Sequence, residues 1–271
     1  MKLVATLLVR NEAELVADCL EHHLQEGVEA FLVTDHGSTD RLAEVLHSYR
    51  RVIHHVQTET EKSYCQDKWV TQMARRATEL RPDWIFHLDA DERWTGLHLL
   101  KQIPEKYAWI KTGAWRNHLP VTATLPGSFH PRMMPYFEIP GRTGLHRPRF
   151  VAFGSGTGGK VLHRPMPDVQ IGIGNHCLHA PDLPMLSCDG IEVHHFPIRS
   201  FQQFRQKVQT GAAAIDAAAW ASGVAAHWRK WRDMDNQGQL ENLFRSFLLT
   251  EEEIRGRLAD GTLFLSPLCS R

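Results

Sequence analysis

The sequence has no C-x-x-C pair and no excess of charge of either sign. Its five cysteines, Cys19, Cys65, Cys177, Cys188 and Cys269, are odd in number, and Lys plus Arg and Asp plus Glu both count 31. The first absence excludes a zinc ribbon and speaks against a disulfide framework. The second excludes a surface built throughout to grip nucleic acid or an acidic membrane. No stretch approaches the roughly 18 apolar residues of a membrane span, and the opening MKLVATLLVRNEAELV has no small-residue cleavage site. Internal repeats and low-complexity linkers are also missing. These absences predict a cytoplasmic protein, or one peripheral to the inner face of the membrane, with no transmembrane segment and no nucleic-acid partner.

What is present fits a soluble globular chain. Its 271 residues and 42% hydrophobic content are enough for one large domain with a helical appendage. LVATLLV, residues 3–9, is a continuous apolar run of the kind found in a parallel strand covered on both faces. A helix follows from Glu12 to Glu26, with Leu15, Val16, Cys19, Leu20 and His23 on one face, Asn11 as its cap and Gly27 as its stop. AFLVTDHGSTD reads as a strand running into a turn, Arg41 to Tyr49 as a helix capped by Thr39 or Asp40, and VIHHV as a third strand. Ser63 to Leu80 reads as a helix and Trp84 to Leu88 as a fourth strand. Alternation of this kind predicts an α/β fold with a mostly parallel sheet flanked by helices, whose ligands bind beyond the carboxyl ends of the strands.

The sequence then becomes irregular over 104–198, with short strand-like runs at Phe150 to Phe153 and Ile191 to Phe196. A helical tail follows over 199–271, read as two helices, Phe201 to Trp231 and Gln237 to Leu258. The expected organisation is an α/β half at 1–103, an irregular half of the same domain at 104–198 and the C-terminal helices.

The fourth strand poses the chemical question. WIFHLDADERW carries an apolar segment straight into Asp89, Asp91 and Glu92. Carboxylates gathered at the end of a buried strand repel one another, so water or a cation must take up their charge. The bland alternative is a solvated acidic strand end. A phosphatase of the D-x-D-x-T type is excluded by Arg93, and an EF-hand by the lack of a third acid and a Gly at the required spacing.

LLVRNEAELVADCLEHHLQEGVEAFLVTDHGSTD, followed by WIFHLDADE, resembles the family 2-like glycosyltransferases of the GT-A fold, and the later HFPIRSFQQFRQK resembles the branch with D-x-D-E and H-x-P-x-R-S motifs. The resemblance spans roughly residues 3 to 210, and the ordered set of motifs carries it. It implies a metal-dependent, inverting transfer of sugar from a nucleotide-diphospho-sugar donor to an acceptor hydroxyl, a glycan, a lipid-linked molecule or another, in surface-glycan or polysaccharide biosynthesis. Asp91 would be the direct ligand of Mn²⁺ or Mg²⁺. Asp89 would point to the ribose or reach the metal through water, and His195 would complete the set. Asp35 would read the nucleoside, with His36 in place of a second acid usual in the family, and Val9, Arg10, Asn11 and Glu12 would line the base pocket. Arg199 and Lys207, spaced with Gln203 at i, i+4 and i+8, would contact the diphosphate. Lys160 of GGKVLHRP and His176 of GIGNHCLHAP would face the same cleft. Glu92 would order the turn or meet the acceptor. The general base stays open among Asp168, Asp182, Asp189, Glu138 and Glu92. The rival readings are a binding module without turnover, against which Asp89, Asp91 and His195 together argue, and a nucleotidyltransferase, which should carry a Gly-rich loop where LLVRNEAEL has none.

Overall fold

The computed structural model describes residues 1–61, 65–113, 115–121, 129–139, 159–180, 182–217 and 226–269. The expected strand at Phe150 to Phe153 lies outside them. The chain forms two compact units. The first comprises 1–60, 65–115 and 156–194, and the second comprises 61–64, 116–155 and 195–271. Residues 104–198 therefore contribute to both.

The first unit opens with β1 (Leu3–Val9), α1 (Ala13–Gln25), β2 (Val28–Asp35), α2 (Leu42–Ser48), β3 (Ile53–Thr58), α3 (Gln66–Ala77) and β4 (Trp84–Asp89), the alternation legible in the sequence. Every residue of β1 is buried, as its unbroken apolar run requires. The buried residues of α1 are Leu15, Val16, Cys19, Leu20 and His23, the predicted face, and Gly27 follows it with φ of 96°. α3 starts at Gln66, later than the expected helix, and passes into a 3-10 turn over Thr78–Leu80. Beyond β4 come β5 (Glu92–Thr95) and β6 (Trp109–Thr112), then, in the second unit, β7 (Arg116–Leu119) and β8 (Tyr136–Glu138). The chain returns to the first unit with β9 (Val161–His163) and β10 (Met185–Cys188) and leaves it along β11 (Glu192–His195).

Seven strands form one sheet in the order β10-β6-β9-β4-β1-β2-β3. β1 runs parallel to β2 and β4, β2 to β3, and β6 to β10, while β9 runs antiparallel to both β4 and β6. The one reversed strand has a consequence for chemistry. The carboxyl ends of β1, β2, β4, β6 and β10 share an edge, and the amino end of β9, preceded by Lys160, lies on that same edge. Chain order reverses at β1, since β2 lies to one side and β4 to the other, and the crevice at such a switch point is where open α/β sheets take ligands.

In the second unit β8 pairs antiparallel with β7 and with the two-residue β12 (Phe264–Leu265). The helices are α4 (Phe201–Ala217), α5 (Ala226–Asn236), α6 (Leu240–Phe247) and α7 (Glu251–Ala259). Phe204, Val208, Trp231, Phe244 and Phe247 form their shared core. The single helix expected from Gln237 to Leu258 is broken in two. Thr250 Oγ1 accepts the Glu253 backbone N–H at 3.2 Å and Glu253 Oε2 accepts the Thr250 N–H at 2.9 Å, a capping box that starts a new helix. Of the first expected tail helix, residues 218–225 lie outside the described ones.

Candidate active site

At the switch point, strand register sets the acids side by side. Val9 of β1 is level with Asp35 of β2, and Leu8 is level with Asp89 of β4. The turn after β2 is built around Asp35, whose Oδ1 accepts the Ser38 N–H at 2.8 Å, and Gly37 takes the positive φ of 63° that closes it. Asn11, itself at φ 54°, ties this turn to β1. Its Oδ1 accepts the Thr39 N–H at 2.7 Å, and its own N–H donates to Ser38 Oγ at 2.9 Å. This corrects the expected helix cap, because the side chain of Asn11 is spent on the turn after β2 and the cap position of α1 is Glu12, whose side chain makes no capping bond. Asp40 bonds backbone N–H groups at both helix starts, Ala13 at 2.9 Å and Leu42 at 3.1 Å. His36 is buried against the Trp69 ring at 4.6 Å. Arg10 is exposed beyond β1, while Val9 is buried and Glu12 is half-buried.

The acidic turn is not a solvated strand end. Asp91 is 5% exposed and Glu92 is fully buried. For Asp89 and Glu92 a cation comes from the chain itself. Lys160 Nζ lies 2.6 Å from Asp89 Oδ2 and 2.9 Å from Glu92 Oε1. Burial alone lowers a lysine's pKa, but Asp89 and Glu92 outweigh it and hold Lys160 protonated, above the ordinary lysine range. The side chain of Asp89 remains a third exposed, whereas Glu92 Oε2 also accepts the Trp94 indole N–H at 3.1 Å. Gly159 lets β9 close onto β6. A Cβ there would sit 1.9 Å from the Thr112 carbonyl oxygen, and Thr112 Oγ1 accepts the Lys160 N–H at 2.9 Å.

Three residues of this site escaped the sequence reading. Arg93, counted there only against a phosphatase, is fully buried. It pairs with Asp18 of α1 at 2.6 Å and donates to the carbonyls of Ala90 at 2.9 Å and Glu92 at 2.7 Å, so one guanidinium pins the turn to the helix. Trp115 lies 5.4 Å from the Lys160 ammonium and 4.8 Å from the His176 ring. His23 holds the strand after the turn, donating from Nδ1 to the Cys19 carbonyl at 2.7 Å and accepting the Trp94 N–H at Nε2 at 3.2 Å. Burial first, then the neighbouring His22, drives its pKa well below the histidine range, so it serves as a neutral brace. A cation directly after D-x-D-E, followed by the alternating pattern of ERWT, was the available signal for Arg93.

Asp189 follows β10 and is exposed at the same sheet edge. Its Oδ1 would lie 3.2 Å from a Cβ placed on Gly113, just past β6. Asp168 and Asp182 are also exposed, the former in the link after β9 and the latter before β10. Glu138 is buried in the second unit and paired with Arg257 at 3.1 Å, which gives it a structural role.

The second-half motif lies in the second unit. His195 Nδ1 is 2.9 Å from Asn117 Oδ1. The amide oxygen makes Nδ1 the donor and leaves Nε2 with the lone pair. Arg199 precedes α4 and is 1% exposed, donating from Nη1 to the Phe196 carbonyl at 3.2 Å, while Gln203 Oε1 accepts its backbone N–H. The expected helical stripe thus loses its first cation to the start of α4, and Lys207 is half-buried on that helix. Among the described residues, no group of three or more His, Cys, Asp or Glu side chains is placed to hold a metal ion, and no helix is long and apolar enough to cross a membrane.

No family model and no curated protein matches the chain. Among solved structures it is similar to S. aureus TarS 1–349, with 13% identity and a TM-score of 0.45 over 91% of this chain and 72% of that one. TarS 1–349 has also been solved in complex with UDP-GlcNAc. A second is the mannosyltransferase PcManGT of Pyrobaculum calidifontis in complex with GDP-Man and Mn²⁺, with 10% identity and a TM-score of 0.43 over 99% and 77%. A third is glucosyl-3-phosphoglycerate synthase of Mycobacterium tuberculosis with Mn²⁺ and UDP, with 13% identity and a TM-score of 0.40 over 82% and 81%.

Proposed function

We propose that this chain is a GT-A-like, family 2-like glycosyltransferase that takes a nucleotide-diphospho-sugar donor across the carboxyl edge of its seven-stranded sheet. The observation that carries the proposal is the shared edge. It brings Asp35 at the end of β2, an acidic turn, Asp89 to Glu92, after β4, a buried ammonium, Lys160, before β9, and an exposed carboxylate, Asp189, after β10 into one row, with β1 and β6 between them. Neighbouring strands lie about 5 Å apart, so this row matches a donor laid with its base at β1 and β2, its diphosphate at β4 and its sugar toward β9 and β6.

The residues of the turn suit a hard divalent cation. Asp89 and Asp91 offer only oxygens, and Mg²⁺ is commonly held by one or two carboxylates completed by substrate phosphates and water. A cation bound there would neutralise the departing diphosphate. His195 stays a proposed further ligand through Nε2, and Arg199 and Lys207 proposed phosphate contacts.

In this reading Asp35 accepts from the base or ribose with the oxygen not used by Ser38. Lys160 ties Asp89 to the buried Glu92 so that Asp89 faces the donor in one geometry. Arg93 keeps the turn in place. Asp189 is the proposed base, because Glu92 and Glu138 are buried in ion pairs and Asp189 alone of the five candidates adjoins the end of β6. With Asp189 accepting its proton, the acceptor oxygen bonds to the anomeric carbon from the face opposite the nucleoside diphosphate, whose bond to that carbon breaks as it departs, and this in-line displacement gives inversion. The acceptor is proposed as a glycan or lipid-linked hydroxyl of a surface polysaccharide. Calorimetry with UDP, GDP and dTDP and their sugars, with Mn²⁺ and with EDTA, tests the proposal. Binding of one nucleotide series that needs the cation supports it, and no binding to any of them overturns it.

A further inference from the structure

The segment from Ile171 to Cys177 carries an amide that the chain does not satisfy. Asn175 is 1% exposed, yet neither its Oδ1 nor its Nδ2 has a hydrogen-bond partner. Its φ is 60°, in the left-handed region that asparagine tolerates better than other residues with a side chain but that still costs energy. The segment is held in place by α3. Gly174 N–H donates to Gln66 Oε1 at 3.0 Å, Ile171 N–H to Thr71 Oγ1 at 2.9 Å, and Arg75 Nε to the Val169 carbonyl at 3.0 Å. The next residue, His176, has Nδ1 3.4 Å from the Gly159 carbonyl and its ring against Trp115. Gly159 adjoins Lys160, the residue that grips the acidic turn.

A buried primary amide has two N–H donors and an acceptor oxygen, and leaving all of them unmet is expensive. A partner that satisfies both ends must donate and accept. Phosphate and carboxylate only accept, whereas a sugar hydroxyl does both. We propose that Asn175 binds a hydroxyl of the sugar carried by the donor and so sets which sugar is accepted. The proposal rests on the donor reading given above and adds its sugar contact, at a residue whose neighbour His176 reaches the carbonyl of Gly159, the residue before Lys160.

The test compares wild type with Asn175→Gly, which removes the amide and the backbone strain together, and with Asn175→Asp, which keeps size and backbone tolerance but loses both donors. Affinities for UDP and GDP are measured beside those for UDP-glucose, UDP-GlcNAc and GDP-mannose, and thermal stability is recorded for each protein. The expected result is that Asn175→Gly is at least as stable as wild type, that both variants bind UDP or GDP as wild type does, and that both lose roughly tenfold or more for the sugar-bearing form. Two results overturn the inference while sparing the donor reading. One is an equal loss for nucleotide and nucleotide-sugar. The other is an unchanged preference between them together with a less stable Asn175→Gly, which would mean that the amide holds an internal water. If wild type binds none of the five probes, the donor reading fails and this inference with it.

Discussion

Replacing Lys160 with Met removes the ammonium shared by Asp89 and Glu92 while keeping an unbranched side chain of similar length. The two carboxylates do not suffer equally. Asp89 is a third exposed and can turn to water, but Glu92 has no exposed surface and its Oε1 lies 2.9 Å from the departing charge. Breaking a buried ion pair on one side costs about 3–5 kcal/mol, mostly the penalty of the charge left behind. Lys160→Met should therefore lose about 3–5 kcal/mol in urea unfolding at pH 7.5. The double variant Lys160→Met with Glu92→Gln should recover a large part of that, because an amide in place of the buried carboxylate removes the unpaired charge. Adding a second mutation to regain stability is what the geometry demands. Two outcomes refute the reasoning. Lys160→Met within about 1 kcal/mol of wild type would mean that Glu92 is not held by that ammonium, and a double variant no more stable than Lys160→Met would mean that the two do not interact.

Other consequences follow from the same site and its surroundings. Asp35→Ala should weaken nucleoside and nucleoside diphosphate alike by roughly 1–3 kcal/mol, and a loss confined to the diphosphate in calorimetry would move Asp35 away from the base. Stability should fall in acid. His163 is held neutral by burial with its pKa lowered to about 4, and burial drives His23 and His87 in the same direction. Depressed histidines leave stability intact above the unfolded value near 6.5 and remove it as pH falls toward 4, so His163 alone should cost about 2 kcal/mol at pH 5. Equal urea midpoints at pH 7.5 and pH 5 would contradict this. Asp189→Asn should leave donor affinity unchanged and lower the rate of transfer by at least about a hundredfold, and full activity would return the base to the open candidates. If His195 Nε2 is a ligand, His195→Ala should raise the Mn²⁺ concentration that half-saturates nucleotide binding by about 10–100-fold, and Asn117→Ala should move it the same way because it orients the ring. A shift in His194→Ala instead would place the wrong neighbour at the metal.

The parts of this site that were legible before the structure share a physical property: they are local. β1 announced itself by seven apolar residues in a row, α1 by a face that the structure buries residue for residue, and the turns after β2 and β4 by acids closing apolar strands. The capping box at Thr250 was equally local, and its T-x-x-E spacing was available to break the expected helix from Gln237 to Leu258. What stayed hidden depends on contacts across long stretches of sequence. Lys160 reaches Asp89 over 71 positions, and Arg93 reaches Asp18 over 75. Neither pairing has a period or spacing that a linear reading can detect, so the sequence puts Lys160 in the cleft only through the family resemblance and does not show it as the partner of Asp89 and Glu92. The reversed strand β9 supplies that lysine. In an all-parallel sheet the residue before a strand lies at the amino edge, away from the ligand, whereas one antiparallel strand brings its first residue to the carboxyl edge among the acids. The irregular second half, with the fewest periodic signals in the sequence, therefore contributes the cation that pairs with Asp89 and Glu92.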